Sequence, residues 1–211
     1  MINDGQFSDL WQDILERYAL IKALYIECEE TDPELKTNLQ PLNEFRAALD
    51  HIMKMMTAYY VDQDSQNTWQ QYNKLCSHFD RAFFDICDFL SINYRNKIVE
   101  LIEPYDSVVI STVFPDYYSK WKVEIEKISQ NIANARLKKG NSSTEQKKNL
   151  EDYKNDVIKL RDIYKSILSA QGTIETVVRK NNKEKWKERI LSGIVGALIG
   201  LLFGVVPQFF I

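Results

Sequence analysis

Few residues of this chain could carry out chemistry, and the familiar catalytic and metal-binding patterns are absent. The chain has two histidines and three cysteines, and Cys28, Cys76 and Cys87 form no C-x-x-C pair. It shows no glycine-rich phosphate loop, no zinc-type Cys/His spacing and no nucleophile elbow. An odd number of unpaired cysteines is typical of a reducing cytosol. We therefore predict no metal site, no cofactor and no small-molecule substrate.

One internal motif remains, an arginine and a histidine on the second predicted helix. Arg46 and His51 form the pattern R-x-x-x-x-H. Five residues turn an α-helix through about 140°, so the two side chains flank the apolar stripe on opposite sides. They would converge only across a dimer or at a distorted turn. The alternative pairs Arg46 with Asp50, four residues on, and leaves His51 as a surface or partly buried polar residue.

In an all-helical context this motif resembles the HEPN superfamily, whose ribonuclease members carry R-x(4–6)-H. The resemblance covers about Leu10 to Ile102 and implies a helical bundle whose protomers pair around a shared cleft. There His51 would act as general acid or base and Arg46 would steady the phosphate during metal-independent RNA cleavage. With a membrane segment added, the chain is similar to small CRISPR-associated membrane accessory proteins. This likeness implies antiviral defence, with RNA or an RNA-guided effector as a partner.

The chain ends in an apolar segment, Ile190 to Ile211, which carries no charge. This length suits a helix that crosses a bilayer, and we predict a C-terminal transmembrane helix at residues 190–211. The alternative is a buried core helix. The small residues that recur every four positions along it are Ser192, Gly196, Gly200 and Gly204. Because small faces let helix backbones approach closely, we predict self-association through them.

A basic segment, residues 179–189, precedes the apolar run and is predicted to be a juxtamembrane linker. The residues predicted at the membrane interface are Lys185, Trp186, Lys187 and Arg189. Basic residues in this place hold the preceding domain on the cytoplasmic side, and tryptophan suits the interface. Since Glu184 and Glu188 dilute the positive charge, the alternative is a solvated helix face.

Residues 1–178 are predicted to form one cytosolic helical bundle. The composition, 45% hydrophobic and 27% charged, is that of a globular protein, and the net charge of −3 argues against broad nucleic-acid binding. The N-terminus lacks the pattern of a signal peptide. With only seven glycines and five prolines in the chain, long helices are favoured over strands and turns.

Five segments repeat apolar residues at spacings of three and four, which predicts an up-and-down bundle of about five long helices. They cover about residues 8–30, a second segment ending near 60, a third ending at Pro104, then 115–135 and 143–178. The stripe predicted for the third helix is Trp69, Tyr72, Cys76, Phe79, Phe83, Ile86 and Leu90. We predict a loop at Ser107 to Val113, an exposed His78, and a hinge at Asn181-Asn182.

These features together predict a bundle that is tail-anchored in the inner membrane of a prokaryote and forms homo-oligomers that perturb or perforate the bilayer. A role in antiphage defence follows from the resemblance alone. One alternative is a membrane-tethered ribonuclease toxin of the HEPN type. Another is a tail-anchored adaptor that recruits a soluble partner.

Overall fold

The regular secondary structure in the described part of the chain is helical. The computed structural model describes residues 2–32, 39–137 and 143–205, and gives the backbone alone for 135–137, 143–149 and 200–205. The α-helices in these ranges are α1 (Asp4–Thr31), α2 (Leu39–Tyr60), α3 (Ser65–Ile102), α4 (Ser107–Val113), α5 (Lys122–Leu137), α6 (Ser143–Ser169) and α7 (Gln171–Val205). A π-helical turn, Tyr117–Trp121, directly precedes α5. The prediction of an all-α fold is confirmed for these residues.

The centre of the bundle is α3, which packs against α1, α2 and α6. It runs for 38 residues without a glycine or a proline, and Asp64 caps its start by accepting the Asn67 N–H at 3.0 Å. Its fully buried apolar residues include Leu75, Ala82, Ile86, Cys87 and Leu90. Because these residues face more than one side of the helix, α3 is stable only when other helices surround it.

The predicted apolar stripe of α3 is confirmed at Phe79, Phe83, Ile86 and Leu90, all of which are buried. It is wrong at Trp69, whose side chain is 42% exposed. At that end the helix instead buries two hydrogen-bonded polar residues, Thr68 and Gln71. A pattern drawn from apolar residues alone therefore misplaces the buried face at the start of the helix.

Polar contacts hold α1 and α6 against the centre. Arg17 of α1 bridges Asp13 of its own helix at 2.7 Å and Asp80 of α3 at 2.9 Å. Farther along, Glu27 of α1 accepts the Tyr94 hydroxyl of α3 at 2.5 Å and a hydrogen bond from Arg161 of α6 at 3.3 Å. The three helices are therefore fixed in register by ion pairs as well as by apolar packing.

The segment predicted as a loop, Ser107 to Val113, is the short helix α4, so that prediction is wrong. Asp106 caps it by accepting the Val109 N–H at 2.9 Å, and Val109 and Ile110 are buried. β-Branched residues have a low intrinsic helix preference, but a cap and burial outweigh that small cost here. The next predicted helix, from about residue 115, begins instead with the π-helical turn, where Tyr117 is buried.

The fifth predicted helix is two helices, α6 and α7, which meet at Ala170. The hinge predicted at Asn181-Asn182 is wrong, because α7 continues through both residues to Val205. The first two turns of α7 pack against the bundle, with Ile174 fully buried. From residue 182 to residue 199 every side chain is exposed, so this part of α7 projects away from the other described helices.

The predicted transmembrane helix is wrong for the residues that the structure describes, and the tail-anchored interpretation is corrected with it. None of the described helices is both long enough and apolar enough to cross a membrane. The apolar part of α7 begins only at Ile190, after a charged stretch, and the described helix ends at Val205. A membrane span needs about 20 consecutive apolar residues. Residues 206–211 of the predicted segment lie outside the described residues.

Candidate functional site

The two histidines of the chain lie side by side between α2 and α3. The rings of His51, from α2, and His78, from α3, stack with their centroids 5.2 Å apart and an interplanar angle of 27°. The side chains around them are Glu44, Gln71 and Arg81, and we call these five residues the paired-histidine site. The His78 and Glu44 side chains are 19% and 15% exposed, so solvent reaches the site from one side.

The Nδ1 atom of His51 is held by a short chain of amide hydrogen bonds. It lies 2.8 Å from Oε1 of Gln71, whose amide nitrogen donates to Oδ1 of Asn67 at 2.9 Å. With the amide oriented this way, Nδ1 carries the proton and donates a hydrogen bond to Oε1 of Gln71. The other ring nitrogen, Nε2, contacts no partner among the described residues, so in the neutral ring it is a proton acceptor.

His78 has two partners at its Nδ1 atom, one that can only accept a hydrogen bond and one that can only donate one. That nitrogen lies 2.7 Å from Oε2 of Glu44 and 2.6 Å from Nη2 of Arg81. A carboxylate only accepts and a guanidinium only donates. A protonated Nδ1 therefore donates to Glu44, whereas a deprotonated Nδ1 accepts from Arg81. The location of one proton decides which neighbour binds the ring.

Glu44 is the charged residue that contacts both His78 and Arg81. Partial burial disfavours its ionised form, but hydrogen bonds from His78 and Arg81 outweigh burial and lower the pKa of Glu44. Arg81 donates to it through Nε at 3.0 Å. A carboxylate that stays ionised and holds the Nδ1 side of an imidazole orients the ring, as a general acid or base requires.

Arg46 and His51 of the predicted motif are not brought together within the chain. Arg46 is exposed, and no hydrogen bond or ion pair among the described residues joins it to His51. The alternative pairing with Asp50 is not seen either, because Asp50 binds Lys54 at 2.6 Å. The arginine beside the histidines is Arg81. His78, which was predicted to be exposed, is largely covered, so that prediction is wrong.

Sequence reasoning missed Glu44, Gln71, His78 and Arg81 because they come from two helices. One local signal was available, since His78 and Arg81 are three residues apart and so share a helix face. The partner across the interface, Glu44, depends on how α2 is rotated against α3. Among the residues that the structure describes, no group of three or more His, Cys, Asp or Glu is arranged to hold a metal ion.

The residues predicted for self-association lie on the projecting part of α7. Ser192 is exposed, and a side chain placed at Gly196 would meet no atom within 4 Å. Gly200 and Gly204 belong to the same helix, in the range described by its backbone alone. The four residues predicted at a membrane interface, Lys185, Trp186, Lys187 and Arg189, are all exposed on the preceding turns.

Large apolar side chains accompany these small residues. Between residues 190 and 199 those exposed by 41–64% are Ile190, Leu191, Ile194, Val195, Leu198 and Ile199, and Trp186, 64% exposed, precedes them. At 100° per residue they occupy about half of the helix circumference, and Ser192, Gly193, Gly196 and Ala197 occupy the other half. The projecting helix therefore has a bulky face and a small face on opposite sides.

Comparison with known proteins yields no relative of this chain: no protein-family model, curated protein or solved structure matches it. The resemblance to the HEPN superfamily therefore stays a prediction that depends on the Arg46–His51 motif and the helical fold.

Proposed function

We propose that this protein is a self-assembling helical bundle, whose copies associate through the projecting part of α7, residues 182–199. The observation that carries the proposal is the exposure of six large apolar side chains on a helix that no other described element covers. A contiguous apolar patch on a protein surface marks an interaction site, because its contact with water is unfavourable.

A second copy of this chain fits that surface better than a partner of another kind. The bulky face of one helix, centred on Leu191 and Leu198, can pack against the small face of the next, at Gly193 and Gly196. Two complementary faces on opposite sides of one helix form a head-to-tail interface, which each further copy can extend. Such an interface closes into a ring or grows into a filament, whereas identical faces would pair only two copies.

The charged turns before the apolar part are compatible with parallel assembly. Glu184 and Glu188 are four residues apart on the half of the helix that carries the bulky face, and Lys185 and Arg189 are four residues apart on the half that carries the small face. In a parallel arrangement the acidic pair of one copy lies beside the basic pair of the next. Opposite charges at an interface fix its register more than they raise its affinity.

The test measures the mass of the intact protein by sedimentation velocity and by light scattering coupled to size-exclusion chromatography. We expect oligomers for the wild type and a monomer for Leu191→Gln/Leu198→Gln. The matched control is Leu49→Gln/Met53→Gln on α2, which alters side chains of similar exposure, 57% and 61%. A wild type that is monomeric at about 100 µM, or a control that dissociates as the α7 variant does, contradicts the proposal.

A second candidate function is metal-independent cleavage of RNA, and the observation that favours it is the paired-histidine site. Two imidazoles with their Nδ1 atoms held and their Nε2 atoms without partners among the described residues can act as a proton acceptor and a proton donor. Arg81, within the site, supplies positive charge for a phosphate. Antiviral defence, which the resemblance implies, is a setting in which either function would serve.

RNA cleavage is tested with a fluorogenic oligoribonucleotide in the presence of a chelator. We expect His51→Asn and His78→Asn each to abolish cleavage while circular dichroism shows an intact fold. If Arg46→Ala abolishes cleavage and His78→Asn does not, the R-x-x-x-x-H motif acts without the second histidine. Absence of cleavage by the wild type rejects this candidate and leaves the self-assembly proposal untouched.

A further inference from the structure

A cavity of about 290 Å³ opens where the start of α1 meets the turn between α2 and α3. Its lining combines aromatic rings with polar groups, among them Asp4, Tyr59, Tyr60, Gln63 and Ser65. The volume approaches that of small-molecule sites, which begin at about 300 Å³. None of its lining residues belongs to the paired-histidine site or to the projecting part of α7.

The walls of this cavity are held in place before any ligand binds. The Ile2 N–H donates to Ser65 Oγ at 2.7 Å, which fixes the chain start over the turn. The Tyr59 hydroxyl donates to Asp4 Oδ1 at 2.6 Å, and the Phe7 ring stacks on Tyr59 with centroids 3.8 Å apart. A preformed site binds more tightly because less ordering is needed on binding.

One wall also contains strained backbone. Gln63 has a φ of 51°, in the left-handed region that residues with a side chain rarely adopt. The strained residue directly follows the exposed Tyr60-Val61-Asp62 turn and directly precedes the cap of α3. Strain of this kind is maintained by the surrounding structure and is concentrated at ligand sites and switches.

The charges around the cavity all have one sign. The segments that form it, residues 2–16 and 55–73, contain no lysine, arginine or histidine. Their acidic residues are Asp4, Asp9, Asp13, Glu16, Asp62 and Asp64. The described lining offers an anion no cationic side chain, whereas a cation would meet the Asp4 carboxylate and a negative local field.

The aromatic rings favour an organic cation over a metal ion. Tyr59 and Tyr60 lie edge to face, with centroids 4.8 Å apart and planes at 80°. The Phe7 ring covers one face of Tyr59, and the aromatic faces that remain attract ammonium groups. The phenol of Tyr59 stays protonated at neutral pH, because its hydrogen bond to Asp4 raises its pKa to about 12.

We propose that this cavity binds a small organic cation, a protonated amine or a quaternary ammonium, between the Asp4 carboxylate and the rings of Tyr59 and Tyr60. Asp4 neutralises the charge, and the rings cover its alkyl groups. Gln63 and Ser65 provide hydrogen-bonding groups for a polar substituent on the same ligand. The proposal is independent of self-assembly and of RNA cleavage.

The probe is choline, and its neutral isostere 3,3-dimethylbutan-1-ol is the matched control ligand. In ¹H–¹⁵N NMR spectra of the intact protein, we expect choline to shift the amides of Ile2, Asp4, Gln63 and Ser65 in a saturable way. We expect the alcohol to bind at least about tenfold more weakly, because only the cation gains from Asp4 and the ring faces. Equal binding of the two probes, or no saturable shift with choline, overturns the proposal.

Three variants distinguish binding of choline in the cavity from attraction of choline to the negative charge of the whole region. Asp4→Asn should weaken choline about tenfold, and Asp9→Asn, which removes an equal charge from the same helix outside the cavity, should not. Tyr60→Leu removes a ring that is 63% exposed, so it should weaken binding without unfolding the protein. Equal effects of Asp4→Asn and Asp9→Asn, or unchanged binding in Tyr60→Leu, overturn the proposal.

Discussion

Helix α3 and the projecting part of α7 both carry large apolar side chains, yet the surroundings of these side chains are opposite. Leu90 of α3 is fully buried, whereas Leu191 of α7 is 64% exposed. α3 has α1, α2 and α6 around it, while α7 contacts α4 and α6 only near its start. The difference shows that the same kind of residue stabilises the fold in one place and is available for association in the other.

The largest effect is expected when a leucine is replaced by alanine in each of the two helices and the free energy of unfolding is compared. Leu90→Ala should lower the free energy of unfolding by about 2–5 kcal/mol, because it leaves a cavity in the core. Leu191→Ala should change it by about 0.5 kcal/mol or less when the protein is monomeric. Urea denaturation at low protein concentration measures both values. Similar losses for the two variants would mean that the projecting part of α7 is packed within the monomer.

A smaller effect is expected from removing one carboxylate from the paired-histidine site and one from the first turns of α7. Glu44→Gln should cost about 1–3 kcal/mol at pH 7, because Glu44 accepts charge-assisted hydrogen bonds from His78 and Arg81. The matched control is Glu175→Gln, which breaks an exposed 3.7 Å pair with Arg179 on α7 and should cost less than about 0.5 kcal/mol. Urea denaturation of both variants measures the difference.

The Glu44 contribution should depend on pH with a definite sign. Folding lowers the pKa of Glu44 below its ordinary value of 4.5, so the folded state favours the ionised form. Its stabilisation is present above pH 4.5 and is lost as the pH falls through the lowered pKa. The wild type and Glu44→Gln should therefore differ less at pH 3 than at pH 7. A constant difference would show that the hydrogen bonds do not depend on the carboxylate charge.

The smallest effect concerns glycine in the projecting helix. Gly193→Ala should stabilise the local helix by about 1 kcal/mol, because alanine favours helix and a Cβ there meets no atom within 4 Å. The bundle should unfold at an unchanged denaturant concentration, since this part of α7 makes few contacts with it. Slower amide exchange near residue 193 would show the local effect. A shifted denaturation midpoint for the whole protein would show that the projecting part of α7 contributes to the stability of the bundle.

The helices were predictable from sequence where one physical signal dominated. The spacing of apolar residues located α1, α2 and α3, and the rarity of helix breakers correctly predicted an all-α fold. The sequence misled where two signals competed: the β-branched residues of α4 were read as a loop, although Asp106 caps a helix there. The apolar run from Ile190 was predicted to be a membrane span from its length of 22 residues, but the described helix includes it only as far as Val205.

The candidate sites were harder to predict than the helices. His51 was singled out by its spacing from Arg46, but its contacts are with Gln71 and His78 on another helix. Such contacts depend on the relative rotation of two helices, which periodicity does not determine. The cavity near Tyr59 depends on the fold of the chain start over a turn about 60 residues later, which no local pattern encodes.

The central position of α3 also has a consequence for the order in which the protein folds. α2 and α3 are joined by a short turn, so their pairing closes a small loop and forms early. The contact of α3 with α6 joins residues as distant as Asp88 and Tyr153, so we expect it to form later. During synthesis the α1–α3 part leaves the ribosome before α6 exists. Until α6 arrives, the Phe84 side of α3 is open to water and to chaperones.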